Sequence, residues 1–159
     1  MVDREGFLLG WLPRPTQVLL AGPQTLTNET TSGTTEEQWG TEELVISTVP
    51  VGSNVTVLAH LTGNANRNET SGVSAERGIL SRLQVSLDGG STWSTTSVGS
   101  SYVDWHGNEE TGSAIPVSAQ VLHSGTVTGT IQVRAMVTTY HTAGKPVARD
   151  GAITATITY

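Results

Sequence analysis

Ser86, Asp88, Gly90, Thr92 and Trp93 follow one another in the order S-x-D-x-G-x-T-W. At that spacing one carboxylate can serve a whole turn. Asp88 is placed to accept hydrogen bonds from the groups that follow it, and Gly89 and Gly90 permit a sharp reversal. Trp93 is placed to cover the junction. The expectation is a strand, a tight Asp-Gly-Gly turn and a returning strand over Thr92–Val98. A second cluster, Asp104-Trp105-His106-Gly107-Asn108-Glu109-Glu110, puts an imidazole, carboxylates and an aromatic together. Metal ligands must converge at fixed spacing, and no H-x-H, H-x₃-H or calcium-loop pattern occurs here. The stretch is expected to be a solvated acidic turn, with Trp105 and His106 as a candidate ligand-binding loop. His60, His123 and His141 each stand alone in a strand or at a strand end. No nucleophile elbow, Ser-His-Asp order, phosphate-cradling loop or paired glycosidase carboxylates can be picked out. A non-enzymatic protein without a metal or cofactor is expected.

The Ser86–Trp93 pattern resembles the Asp-box of sialidases. In propeller sialidases several copies recur, one per blade and away from the active site, where they hold hairpin turns. This chain carries one copy, and at 159 residues it is too short for a propeller of ~40–50 residues per blade. Seven scattered arginines form no recognisable sialidase-like cluster. The resemblance therefore implies a structural hairpin.

The elements that must hold these residues are strands. Val55, Val57, Ala59 and Leu61 alternate with Thr56, Leu58, His60 and Thr62. Period-2 alternation recurs over Ile79–Leu87, Ile131–Val137 and Ile153–Tyr159, and helical periodicity is nearly absent. Further strand-like runs are Thr16–Ala21, Glu42–Val49, Ser101–Trp105 and Ala114–Leu122. About nine strands bounded by Gly, Asn, Pro and Asp clusters predict an all-β fold, an antiparallel sandwich or jelly roll. The opposing sets are mostly Thr, Ser and Gln rather than Lys and Glu. Such a face suits packing against another sheet or subunit, and equally a plain exposed sheet. Gly63–Gly78 and Asn28–Thr41 are expected to be long polar connections.

Composition agrees with a lean core. Hydrophobic residues make up 36 %, with one Phe and three Tyr, while Ser and Thr number 40 and Gly 18. The formal net charge of −6 and the single lysine, Lys145, exclude the basic stripe of a nucleic-acid binder. With no cysteine, disulfide and thiolate chemistry are absent. No basic leader precedes the apolar run Phe7–Leu12, and nothing approaches the ~20 apolar residues of a membrane helix. The length predicts one domain over 16–159. Residues 1–15 are expected to form an extended arm, because Phe7, Leu8, Leu9, Trp11 and Leu12 cluster before Pro13-Arg14-Pro15. These residues, with Arg14, are the candidate partner-binding segment.

The order of features over roughly 40–159 resembles the trimeric jelly-roll heads related to the tumour-necrosis-factor and C1q fold, found among bacteriophage decoration proteins and fibre tips. It is carried by Glu42–Val49, Pro50-Val51-Gly52-Ser53, Val55–Thr62 and Ile79–Leu87 with Asp88-Gly89-Gly90. Ala114–Leu122, Val127–Tyr140 and Ala152–Tyr159 complete it. The resemblance implies a homotrimer acting by binding, with the final strand central in the inner sheet. With a short arm in place of a long shaft, the implied role is a capsid decoration or cement protein at the virion surface, its arms on the major capsid protein. A receptor- or glycan-binding head of a tail fibre or spike is the alternative, followed by a cellular lectin-like module and then an Asp-box hydrolase.

Overall fold

β-Branched side chains fit the pleated, half-buried surface of a sheet, and Val, Ile and Thr carry most of this chain into strands. The computed structural model describes residues 16–30, 35–66, 77–94, 101–105, 114–139 and 147–159. Within them lie β1 (Val18–Thr25), β2 (Glu29–Thr30), β3 (Glu37–Gln38), β4 (Leu44–Ile46) and β5 (Asn54–Asn66). β6 (Arg77–Ser86), β7 (Ser101–Trp105), β8 (Ala114–Thr126), β9 (Ile131–Thr139) and β10 (Val147–Thr158) follow. None of the described residues is helical.

The strands form two antiparallel sheets, and the fold is an all-β sandwich. The first sheet runs β1-β10-β5-β8, with β2 also paired to β10. β1 and β2 take successive stretches of one edge of β10: Val18–Thr25 lies along Ala152–Thr158, and Glu29-Thr30 along Val147-Ala148. The second sheet runs β3-β9-β6-β7, with β3 and β4 sharing one edge of β9 in the same way.

Alternation sends one set of side chains from each sheet into the space between them. Val55, Val57, Ala59 and Leu61 of β5 are buried there, with Val117, Ala119 and Val121 of β8 and Ile153, Ala155 and Ile157 of β10. Ile79, Leu83 and Val85 of β6 meet them, as do Ile131, Val133, Ala135 and Val137 of β9. One end is filled by Trp39, fully buried beside Leu26. Two glycines make room for it. A Cβ on Gly63 would stand 2.5 Å from Trp39 Cη2, and one on Gly151 2.9 Å from its Cε2 and Cζ2.

Four boundaries differ from the sequence reading. Of the expected strand over Thr92–Val98, residues 92–94 are not strand and 95–98 lie outside the described residues. β7 pairs with β6 over Arg77–Ser81, on the edge opposite β9. For 92–94 the reason lies in Ser94. Its amide donates to Val85 O (2.8 Å), but its own hydroxyl takes the Val85 amide (3.0 Å), the place a ladder carbonyl would hold. The Val127–Tyr140 run divides, with Val127–Thr130 forming a turn before β9. The Asn28–Thr41 connection contains β2 and β3. Of the Gly63–Gly78 connection, Gly63–Asn66 extends β5 and Arg77-Gly78 opens β6; 67–76 lie outside the described residues.

Candidate functional site

The Asp-box turn is built on Asp88. Oδ1 accepts the Ser86 hydroxyl (2.7 Å) and the Thr92 amide (2.9 Å), and Oδ2 accepts the Thr92 hydroxyl (2.6 Å). Ser86 Oγ in turn accepts the Gly90 amide (2.9 Å) and the Asp88 amide (3.3 Å). Gly89 and Gly90 both have positive φ, 74° and 86°, so the reversal needs residues without a Cβ. Donors converging on a carboxylate stabilise its charged form. The Thr92 hydroxyl and amide, then the Ser86 hydroxyl, lower the Asp88 pKa from 3.8 to about 2.

This turn is docked onto the β8–β9 connection. The Thr128 and Gly129 amides both donate to Leu87 O (2.9 and 3.0 Å), and the Gly89 amide donates to Thr130 O (3.0 Å). Trp93 is half-buried, with the Arg134 guanidinium 3.9 Å above its ring centroid. Arg134 also donates from Nε to Gln84 Oε1 at 2.8 Å. Ser86, Asp88, Gly90, Thr92 and Trp93 are thus brought together as one clamp.

The outward faces of the two sheets differ in kind. On the second sheet, cations are held by partners: Arg82 pairs with Glu36, and Arg134 is held between Gln84 and Trp93. Gln84 is itself buried on that face. The first sheet has no such pairing over its main area. Registers place its outward side chains in transverse rows. One row is Val18–Thr158–Thr56–Ser124, and the next Leu20–Thr156–Leu58–Leu122. Thr154–His60–Gln120 and Thr25–Ala152–Thr62–Ser118 follow. Across these rows there is no Asp, Glu, Lys or Arg, and His60 is the one ionisable side chain. Leu20 is 76 % exposed, Val18 64 %, Leu122 51 % and Leu58 36 %. The charges Arg149 and Asp150 stand beyond the rows, next to the β10 irregularity.

The other candidates are placed as follows. Phe7, Leu8, Leu9, Trp11, Leu12 and Arg14 lie outside the described residues, as do His106 and His141. Trp105 is described in its backbone, pairing with Arg77 at the end of β7. His60 lies on the uncharged face, and His123 is half-buried near the end of β8. Among the described residues no group of three or more His, Asp or Glu is placed to hold a metal, and no helix is long and apolar enough to cross a membrane.

No family model and no curated protein matches the chain. Among solved structures it is similar to a chain in the structure of the infectious bursal disease virus Gx strain, at 10 % identity and a TM-score of 0.42. That likeness covers 92 % of this chain and 32 % of the other, so the chain spans about a third of that viral protein's length. It is also similar to the EclA C-terminal domain, a sugar-binding protein, at 11 % identity and a TM-score of 0.32, covering 96 % of this chain and 88 % of that one.

Alternation had already separated Thr56, Leu58, His60 and Thr62 from the core set. It did not show that Leu20, Leu58 and Leu122 share a row, because that depends on which strands are neighbours. The Arg134–Trp93 stack had no signal in the sequence, since 41 positions separate the two residues.

Proposed function

We propose that this chain is a non-enzymatic structural protein that works by surface association, and that copies of it join through the outward face of the β1-β10-β5-β8 sheet. The observation that carries the reading is that face: four strands wide, free of Asp, Glu, Lys and Arg over its rows, with Leu20, Leu58 and Leu122 exposed in one line. Sheet faces left to solvent usually carry charge, whereas subunit contacts are depleted in it. Strands ~4.8 Å apart and about eight residues at ~3.3 Å each give a footprint of about 500 Å², against the ~800 Å² per partner of a standard interface.

The finer reading is a jelly-roll head that decorates a virus shell as a homotrimer. Strand order supports the jelly roll. Counting β1 with β2 and β3 with β4 as single interrupted strands leaves eight, in two sheets of four, and the chain changes sheets at most connections. In this role the face would hold copies together, while residues 1–15, with Phe7, Leu8, Leu9, Trp11, Leu12 and Arg14, would bind the major capsid protein at the virion surface. Burying such an arm is worth about 25 cal/mol per Å² before association costs, and linkage through a trimer raises the effective concentration of the remaining arms.

Light scattering of the purified chain tests this first. The expected mass is that of three 16.7 kDa copies, about 50 kDa. A clean monomer at high concentration would overturn the reading. Removal of residues 1–15 is expected to leave the trimer folded and abolish shell decoration, and undiminished decoration would refute the arm's role.

A further inference from the structure

We infer that the cleft between the Asp-box turn and the end of β8 is a binding site for a neutral saccharide. The cleft has a volume of about 320 Å³, at the lower end of ligand-sized pockets, which suits one or two sugar rings. The cleft is floored by the buried residues Val85 and Leu87, and Trp93, Asp88, His123 and Thr128 supply an aromatic ring and polar groups. A sugar offers the same mixture, with C–H patches that lie on an indole and hydroxyls that need both donors and acceptors.

The hydrogen-bonding capacity left at the site points to hydroxyl ligands. An ionised carboxylate has about four acceptor positions. Three are filled, two on Oδ1 and one on Oδ2, and the Ser91 amide also acts on the carboxylate. Asp88 is thus committed to its own turn, and the open capacity lies with the other polar groups of the cleft. The imidazole of His123 is half-buried and makes no hydrogen bond to the other described residues.

Charge narrows the class. Neither Lys nor Arg lines the cleft, Asp88 is negative, and the neighbouring Arg134 is already engaged by Gln84 and the Trp93 ring. An anionic sugar or phosphate would therefore meet repulsion with no free cation to offset it. A cationic ligand is disfavoured too. Arg134 already occupies the π-system of Trp93 at 3.9 Å, and a second cation on that ring would be repelled by the first. A neutral polyol meets neither obstacle.

The site is preorganised. Asp88 and Thr92 are locked to each other, and the β8–β9 turn presses on the same backbone: a Cβ on Gly129 would stand 2.7 Å from Asp88 C. Leu58 and Leu122 do not line the cleft, so this inference stands or falls apart from self-association.

The test is a titration of the full chain with lactose, maltotriose, cellotriose and the trimer of N-acetylglucosamine, followed by two-dimensional NMR. At least one is expected to shift the Trp93 indole N–H and the Gly90 and His123 amides, with Kd at or below about 1 mM. His123→Ala is expected to weaken it about tenfold or more with an unchanged melting temperature; Trp93→Ala should do the same, and His123→Ala decides if that variant fails to fold. Sialyllactose is expected to bind more weakly than lactose. The site is refuted if no neutral saccharide shifts these signals at about 10 mM, if binding survives His123→Ala, or if sialyllactose binds more tightly.

Discussion

Asp88 holds Thr92 by two hydrogen bonds at once, Oδ1 on its amide at 2.9 Å and Oδ2 on its hydroxyl at 2.6 Å. Each needs the full carboxylate geometry. Asp88→Asn keeps the shape, but its amide nitrogen replaces one acceptor and meets a donor. The variant is expected to melt below the parent at neutral pH. Thr92→Val, which removes one of the two bonds, should fall between them. Thermal unfolding by circular dichroism checks the order.

Acid should loosen the same clamp. Asp88 is pulled from 3.8 down to about 2, and Glu42 is lowered from 4.5, first by the Thr27 amide. Glu42 Oε2 also accepts the Thr27 hydroxyl and the Thr41 amide, tying the segment after β1 to the one before β4. Both folded pKa values lie below the unfolded ones, so each group stabilises the fold above its unfolded pKa. That contribution is lost as pH falls through the folded value. Stability from these groups is expected to be flat from neutral pH to about 5 and to decline below about 4.5, with the Asp88 share lost towards about 2. Urea melts across that range should show a shallower decline in Asp88→Asn.

The end of the sandwich filled by Trp39 is expected to tolerate nothing larger than hydrogen at Gly63. A methyl there would stand 2.5 Å from Cη2 of a fully buried ring, so something must shift to admit it. Overpacking of this kind costs about 1–3 kcal/mol. Trp39→Ala, which empties the site, should cost about 3–5 kcal/mol. Denaturant titration of both variants measures this, and a neutral Gly63→Ala would show that the tryptophan can move.

Association through the first sheet should be nearly indifferent to salt. Its rows carry no Asp, Glu, Lys or Arg, so there is little for ions to screen. Sedimentation equilibrium at ~0.05 M and ~0.5 M NaCl is expected to give the same oligomer, over a range in which exposed charge pairs weaken markedly. Leu58→Glu with Leu122→Glu, placing like charges opposite one another at exposed positions, is expected to give monomers that melt near the parent temperature. Oligomers that persist in that double variant would place the contact elsewhere.

Much of this was legible beforehand, for a physical reason. Strands with one buried face must alternate, so the inward sets of β5, β9 and β10 could be read residue by residue. The Asp-box turn was legible because its bonds span at most four residues. Other features depend on contacts between distant parts of the chain. Trp39 lies just after a two-residue strand in an acidic stretch, with no period to mark it as core, and its niche exists because Gly63 and Gly151 come together there. Of the expected strand over Thr92–Val98, the described residues 92–94 are not strand, and the Ser94 hydroxyl competes with the backbone for Val85, a choice that alternation does not encode.

The position of β10 sets a timetable for assembly. It lies between β1 and β5, pairing Val18 with Thr158 on one side and Thr56 with Thr158 on the other. During synthesis β1 and β5 therefore emerge long before the strand that joins them. Until residues 147–158 arrive, both present unsatisfied backbone edges to any neighbour. Closure from such distant segments is slow, on the order of milliseconds to seconds. The nascent chain is thus most exposed to mispairing just before its sheet is completed, and a chaperone would matter most in that interval.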